Sequence, residues 1–588
     1  MSSQAELKQN DWIPGAIYIQ QIKHSEWRHP IKEAAVSIQL LILSCVFLST
    51  VFSQVWSGDT LKINPVTFAD PSPIGWNAPY KVKVNFPDDP NVEWSQILME
   101  QTLKCDSSTA GDKFPCGEWD YIWNTFLLVP AGDSIETFTL GSFVTPYGKR
   151  LELGGEQGWD WVYDITEYAP LLVGTRELIT GNNQQLLNLQ FLFIKGKPTR
   201  KVVSVENIYP YGEYRYELLA SDSLLKEREI VLTDQAAAFR IKAVISGHGH
   251  AGPRNCCEWD SKTHTYIINQ QDTFRWDVWK DCGNNPIYPQ GGTWPFDRAG
   301  WCPGTKVDEV EFEITRKVSG GDTILIDYQI ENFQDNREQD GTFRMSHQLF
   351  SYGPPNFKHD ASIEAIIVPN NEDQYARINP SCGEPVIRIQ NTGQYPLRQI
   401  EIKYGIRGSR KKSFGWYGNL EFLETEDVVL PPLSWKKMIS SGIFEVEISV
   451  PAGINDENNK NNFLSSSFNK PKILPAKFIV NIQTNNLGRS AENRYSIHDG
   501  TGLVWYYEDA FVDSTTYRFP IALSRGCYQF VFMDDQEDGI ALHWWNRNTA
   551  PEQVGINGQV QIESLTGDTL VLFNPDFGQE LLLNFLVE

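Results

Sequence analysis

From Trp56 onward, apolar and polar positions alternate in short runs cut by Gly, Pro, Asn and Asp, as in YKVKVNF (80–86) and FRIKAVIS (239–246). A period of two puts one face of each run in a core and the other in solvent, so strands dominate. No stretch beyond Phe52 sustains a 3.6-residue period, which predicts an all-β chain of stacked sandwiches or jelly rolls joined by turns. The 588 residues predict roughly three to five domains rather than one.

The polar or Pro-rich segments PNNEDQ (369–374) and NKPKILP (469–475) read as linkers and leave two C-terminal modules. The first, 375–468, holds VIRIQNTG, QIEIKYGI and FEVEISVP, the cadence of an immunoglobulin-like sandwich. The second, 476–588, contains CYQFVFMDDQEDGI and resembles the CUB-like modules appended to secreted bacterial enzymes. Both read as accessory, placing any chemistry before residue 367. The acidic tract 534–538 reads as a solvated or calcium-binding turn.

At the front, residues 34–52 (AAVSIQLLILSCVFLSTVF) carry no charge and follow Lys23, Arg28 and Lys32. This reads as a leader, 1–54, with a cleaved signal peptide, or a signal anchor that would tether the chain to a membrane. The expected location is secreted, periplasmic or on the outer cell surface, where disulfides persist. Eight cysteines remain after the leader, and eight allow 105 connectivities. A net charge of −23 repels phosphate backbones, so nucleic acid is not an expected partner. Aromatic residues make up 12% of the chain, with 19 Trp, and suit both sandwich cores and sugar faces.

Three clusters carry candidate chemistry. Cys105, ten residues, Cys116 and then Gly-Glu-Trp-Asp-Tyr place Glu118, Trp119 and Asp120 at the mouth of a strand. A bridge across that loop would hold the acids in place, by ~2–3 kcal/mol on the chain-entropy model; a surface loop with solvated acids is the alternative. The second cluster, ISGHGHAGPRNCCEWDSKTH (245–264), contains G-x-G-x-x-G, but Pro253 and the cysteine pair follow where a dinucleotide site needs a helix. Its His248, His250 and His264 are metal-ligand candidates, as in a copper monooxygenase, or structural histidines. Glu258 and Trp259 are its other notable residues. The third cluster, GGTWPFDRAGWCPG (291–304), can present Arg298 and Trp301 to a polar sugar, or plug a core with Trp294 and Trp301. No serine elbow, H-E-x-x-H or P-loop occurs.

In this order, CGEWDY, FVTPYG with DITEYAPLL, ISGHGHA with CEW and THTYIIN, and DRAGWCPG resemble the peptide:N-glycosidase F family over about 60–367. The resemblance implies two adjacent jelly rolls, 55–222 and 223–367, with a site in the cleft between them. It implies a monomeric hydrolase that needs no cofactor and no metal. Its substrates would be N-linked glycoproteins and glycopeptides, cleaved at the amide between asparagine and the innermost N-acetylglucosamine. Residue by residue, it places the essential acid on Asp120, a second acid on Glu258 and a sugar-contacting arginine on Arg298. Trp119, Trp259 and Trp301 match family tryptophans, and Glu118 and His250 join the substrate-binding set. It also implies the bridges Cys105 to Cys116 and Cys282 to Cys302.

The departures are specific. A third family glutamate aligns with the apolar stretch 189–193, the arginine after the essential acid is Tyr121, a tryptophan is His248, and the cysteine closing the Glu258 loop is Asp260. A glycan-binding relative without turnover and a metal-dependent jelly-roll oxidase are the competing readings.

Overall fold

The computed structural model describes residues 55–75, 78–106, 119–147, 157–181, 185–250, 256–332, 341–433, 441–450 and 456–588. The leader and its signal or anchor reading lie outside them, as do Cys116 and Glu118. Among the described residues the chain is almost all β, with one short α-helix, Tyr216–Ala220, and no helix long and apolar enough to cross a membrane.

Alternation makes the sandwiches. The run expected at 80–86 is the strand Tyr80–Phe86, with Tyr80, Val84 and Phe86 buried. It belongs to a four-stranded sheet with Gly174–Thr180, Ile122–Ala131 and Ser134–Val144. That sheet shares one core with a five-stranded sheet centred on Gln185–Lys195 and Trp94–Cys105. A second core lies between two four-stranded sheets, one containing Ala238–His248 and Thr342–Pro355, the other Lys262–Ile268 and Thr323–Ile330. Two further cores follow, formed by residues 361–468 and 474–587.

The segment NKPKILP is not a free linker. Lys472–Leu474 pairs in parallel with Glu580–Val587 and forms the edge of the last five-stranded sheet, and a Cys382–Cys527 disulfide ties the third core region to the fourth. The segment after PNNEDQ is also engaged. Arg377 donates from Nε to the Asn285 carbonyl (2.8 Å) and from Nη1 to the carbonyls of Phe577 and Glu580 (both 2.9 Å).

The last sandwich grips the loop of the third sequence cluster. Gln579 N–H donates to the Gly283 carbonyl at 2.8 Å, Trp294 Nε1 donates to Asp576 Oδ1 at 2.8 Å, and Phe296 packs edge-on against Trp545. The loop is closed by the Cys282–Cys302 disulfide.

Candidate active site

Two strand ends and two loops meet between the first and second sandwiches around a cavity of about 410 Å³ lined by Asp120, Tyr121, Ile122, Val144, Gly181, His248, Glu258, Trp301 and Arg344. Asp120 sits just before the strand Ile122–Ala131. Its neighbour Tyr121 is pinned to Thr145 by two hydrogen bonds, Tyr121 N–H to Oγ1 and Thr145 N–H to the Tyr121 carbonyl, each 2.8 Å.

Glu258 is held from both sides. Its N–H donates to the Gly249 carbonyl and its carbonyl accepts from Ala299 N–H, both at 2.9 Å, while Gly247 N–H donates to the Ala299 carbonyl at 3.0 Å. This stitching requires glycine at 247, where a Cβ would lie 1.9 Å from the Cys257 carbonyl oxygen. Cys256 and Cys257 are bonded to each other. Asp260, where the resemblance leads one to expect cysteine, is buried and pairs with Lys262 at 2.5 Å.

Arg298 has no exposed surface. Its Nε donates to Glu258 Oε1 at 3.3 Å, Nη1 to the Phe296 carbonyl at 2.6 Å and Nη2 to the Thr293 carbonyl at 2.8 Å. The guanidinium lies over Trp259 at 4.1 Å and over Trp301 at 4.9 Å, sandwiched by cation–π contacts. The expectation that Arg298 offers a free fork to sugar is therefore corrected. Neighbouring carbonyls and Glu258 take its donors, because the loop that carries it folds back over them.

The electrostatics follow from burial around that one cation. Burial pushes the Glu258 carboxyl up to about 7, Arg298 opposes the rise, and Asp120 adds to it. Asp120 is also raised, chiefly by burial, and is opposed by Arg298 and by a hydrogen bond from Tyr147. His248 is driven down to about 3 by burial, with Arg344 adding to the shift, so it is neutral at physiological pH. It lies parallel to Trp301 at 5.4 Å and bonds Ser246 at 2.8 Å.

Of the remaining expected residues, Trp301 lines the cavity with Nε1 donating to the Gly247 carbonyl at 2.8 Å. Trp119 is 56% exposed, Trp259 is half-buried beside Glu258, and His250 is exposed beyond the strand end. Cys282 and Cys302 are bonded. Cys105 is disulfide-bonded as well. The three histidines do not form a ligand set. His264 is buried in the second core and bonds the Tyr328 hydroxyl at 2.6 Å, and among the described residues the one group of potential ligand side chains that converges is Glu492, Asp534 and Asp538. The stretch aligned with the third family glutamate is core: Leu189, Phe191 and Phe193 have no exposed surface.

Sequence reasoning missed Tyr147 and Arg344. Tyr147, in FVTPYG, donates its N–H to Gln290 Oε1 at 2.9 Å, just before the third cluster, and its hydroxyl to Asp120 of the first. Arg344 reaches the cavity because its strand pairs with Ala238–His248, opposite Ser246. Nothing local in RMSHQ signals this.

The chain is similar to known proteins. The family described as Peptide-N-glycosidase F, C terminal matches residues 215–350. A peptide-N(4)-(N-acetyl-beta-D-glucosaminyl)asparagine amidase F of Elizabethkingia miricola is 30% identical over 243 residues, which are 38% of this chain and 65% of that relative. The match thus spans a little under two thirds of the relative's length. A crystal structure of a peptide-N(4)-(N-acetyl-beta-D-glucosaminyl)asparagine amidase is 26% identical, covers 50% of this chain and 98% of its own, and has a TM-score of 0.42. That of PNGase F from Flavobacterium meningosepticum is also 26% identical and covers 50% of this chain and 96% of its own, with a TM-score of 0.41. The family match at 215–350 takes in Glu258 and Arg298 in their stitched loop, so this part of the chain is similar to the peptide-N-glycosidase F family, C-terminal region.

Proposed function

We propose that the chain hydrolyses the amide between asparagine and the innermost N-acetylglucosamine of N-linked glycans, releasing the glycan from glycoproteins and glycopeptides outside the cell. The observation that carries the reading is the pair of raised carboxyls on one cavity, Asp120 and Glu258, sharing one buried cation.

The two acids divide the work by environment. Asp120, which receives the Tyr147 hydroxyl and lies in the field of Arg298, is the base. It takes a proton from water as the oxygen adds to the asparagine amide carbon. Glu258, half protonated near pH 7, is the acid. As the C–N bond breaks, its proton goes to the departing nitrogen, leaving a glycosylamine and an aspartate in the peptide. General acid–base catalysis of this kind contributes about 10²–10⁴ in rate. The exposed Trp119 supplies a stacking plane for the sugar, whereas Trp301 is buried between His248 and Arg298 and shapes the cavity wall.

A second reading, glycan binding without turnover, is favoured by one observation: the third family acid has no counterpart in the buried stretch Leu189 to Phe193. The experiment that separates the two is incubation with a denatured N-glycoprotein in ¹⁸O-water, followed by peptide mass spectrometry. The amidase reading expects glycan release with one heavy oxygen in each new aspartate. Glycan retention by the protein with no aspartate formed on any N-glycan class would overturn it in favour of the binding reading.

A further inference from the structure

The last sandwich carries a separate knot of buried charge. Glu492 precedes the strand Asn493–Asp499, Asp534 ends the strand Gly526–Asp534, and Asp538 lies in the turn that follows. One ligand atom from each lies within 4.8 Å of the others. Asp534 has no exposed surface. Its Oδ1 accepts the N–H groups of Gln536 (3.0 Å) and Asp538 (3.3 Å), but its Oδ2 is buried with no partner, and so is Glu492 Oε2. Leaving a buried carboxylate oxygen unpaired is costly, so two in one cluster ask what satisfies them.

Two neighbours engage Asp538. Arg489 Nη2 donates to its Oδ1 at 2.8 Å, and His543 Nε2 lies 2.9 Å from its Oδ2. Three carboxylates against the one guanidinium of Arg489 leave two negative charges in excess, the complement of a divalent ion. Donors that are all oxygen, on a strand end and its turn, suit a hard cation with flexible coordination.

We propose that Glu492, Asp534 and Asp538 bind a hard divalent cation of the calcium class.

The site is wired to the loop that carries Arg298. Asp534 N–H donates to the Gln579 carbonyl and Gln579 N–H to the Gly283 carbonyl, both at 2.8 Å. Gln579 Nε2 also donates to Glu537 Oε1 at 2.6 Å. A cation between the strand end and the turn therefore stiffens the support of Gly283, next to the Cys282 bridge.

The test is calorimetric titration of calcium chloride into the EDTA-stripped full chain, alongside thermal melting. The expected result is one calcium per chain with Kd at or below ~1 mM, the range of extracellular modules, and a Tm raised by several degrees, a typical response to ligand linkage. Folded Glu492→Gln and Asp534→Asn should lose both heat and Tm shift. No heat and no change in Tm at ~10 mM calcium, well above that range, would overturn the proposal, and so would undiminished binding by either folded variant. The wild-type titration decides even if a variant fails to fold, and it requires no glycan release.

Discussion

Arg298 Nε lies 3.3 Å from Glu258 Oε1 while Arg298 itself has no exposed surface. One dry guanidinium therefore lies beside Glu258 and in the field of Asp120, and any change in it moves the proton affinity of both. Its charge opposes the rise that burial imposes on both acids.

The first consequence is a pH profile. In the proposed reaction Glu258 acts as an acid in its protonated form, and that fraction falls as pH passes about 7. Measured kcat/KM on a glycopeptide should drop about tenfold per pH unit above that point. Glu258→Gln should lower the rate by roughly 10² or more and abolish this limb. Stability has the same sign. The native chain keeps a proton that the unfolded chain releases near 4.5, so stability falls as pH rises from 4.5 to about 7, by up to roughly 3 kcal/mol. Urea melts of Glu258→Gln should lack that slope.

Asp120→Asn should abolish turnover, by about 10²–10⁴, without destabilising the fold. Burial raises the Asp120 carboxyl, so ionising it there costs energy that an amide of equal size does not incur. The melting temperature at pH 8 should be unchanged or higher than wild type, read by circular dichroism. A well-folded variant with near-normal turnover would remove Asp120 from the reaction.

The grip of the last sandwich on the third cluster predicts that the C-terminal modules are needed for full turnover, although the sequence alone made them accessory. Arg377→Ala strands the carbonyls of Asn285, Phe577 and Glu580 and should cost about 2–4 kcal/mol. Trp294→Phe keeps the ring but drops the bond to Asp576, so kcat should fall while KM stays near wild type. A soluble chain ending near residue 368 that retains full kcat would refute this account.

How much of this was readable from the sequence follows the range of the physics. Tyr80–Phe86 and Ala238–His248 emerged from a two-residue alternation, because the core face of a strand is a local property. Asp120 and Glu258 were found by motif and do line one cavity. The burial of Arg298 was not readable, since it depends on Thr293 and Phe296 folding back over the guanidinium. Nor was the bond from Trp294 to Asp576, which spans 282 positions with no local pattern to announce it. NKPKILP misled because three residues of parallel edge strand, Lys472–Leu474, are too short to alternate against the prolines that flank them.

The last prediction separates the two roles Arg298 could have. If it bound sugar, Arg298→Lys would mainly raise KM. Its actual partners are Glu258 and the carbonyls of Phe296 and Thr293, and an ammonium cannot satisfy that fork from one point, so kcat should fall with KM little changed. Arg298→Gln sharpens the contrast by removing the charge. Arg298 lowers the proton affinity of both acids, so its loss raises both. Asp120 then becomes harder to ionise and Glu258 holds its proton longer, and both limbs of the pH–rate profile should move to higher pH together. Carboxyl ¹³C NMR of glutamate-labelled protein should follow the Glu258 titration upward without relying on turnover. A KM-only effect with both limbs in place would return Arg298 to the sugar and remove it from the control of Glu258.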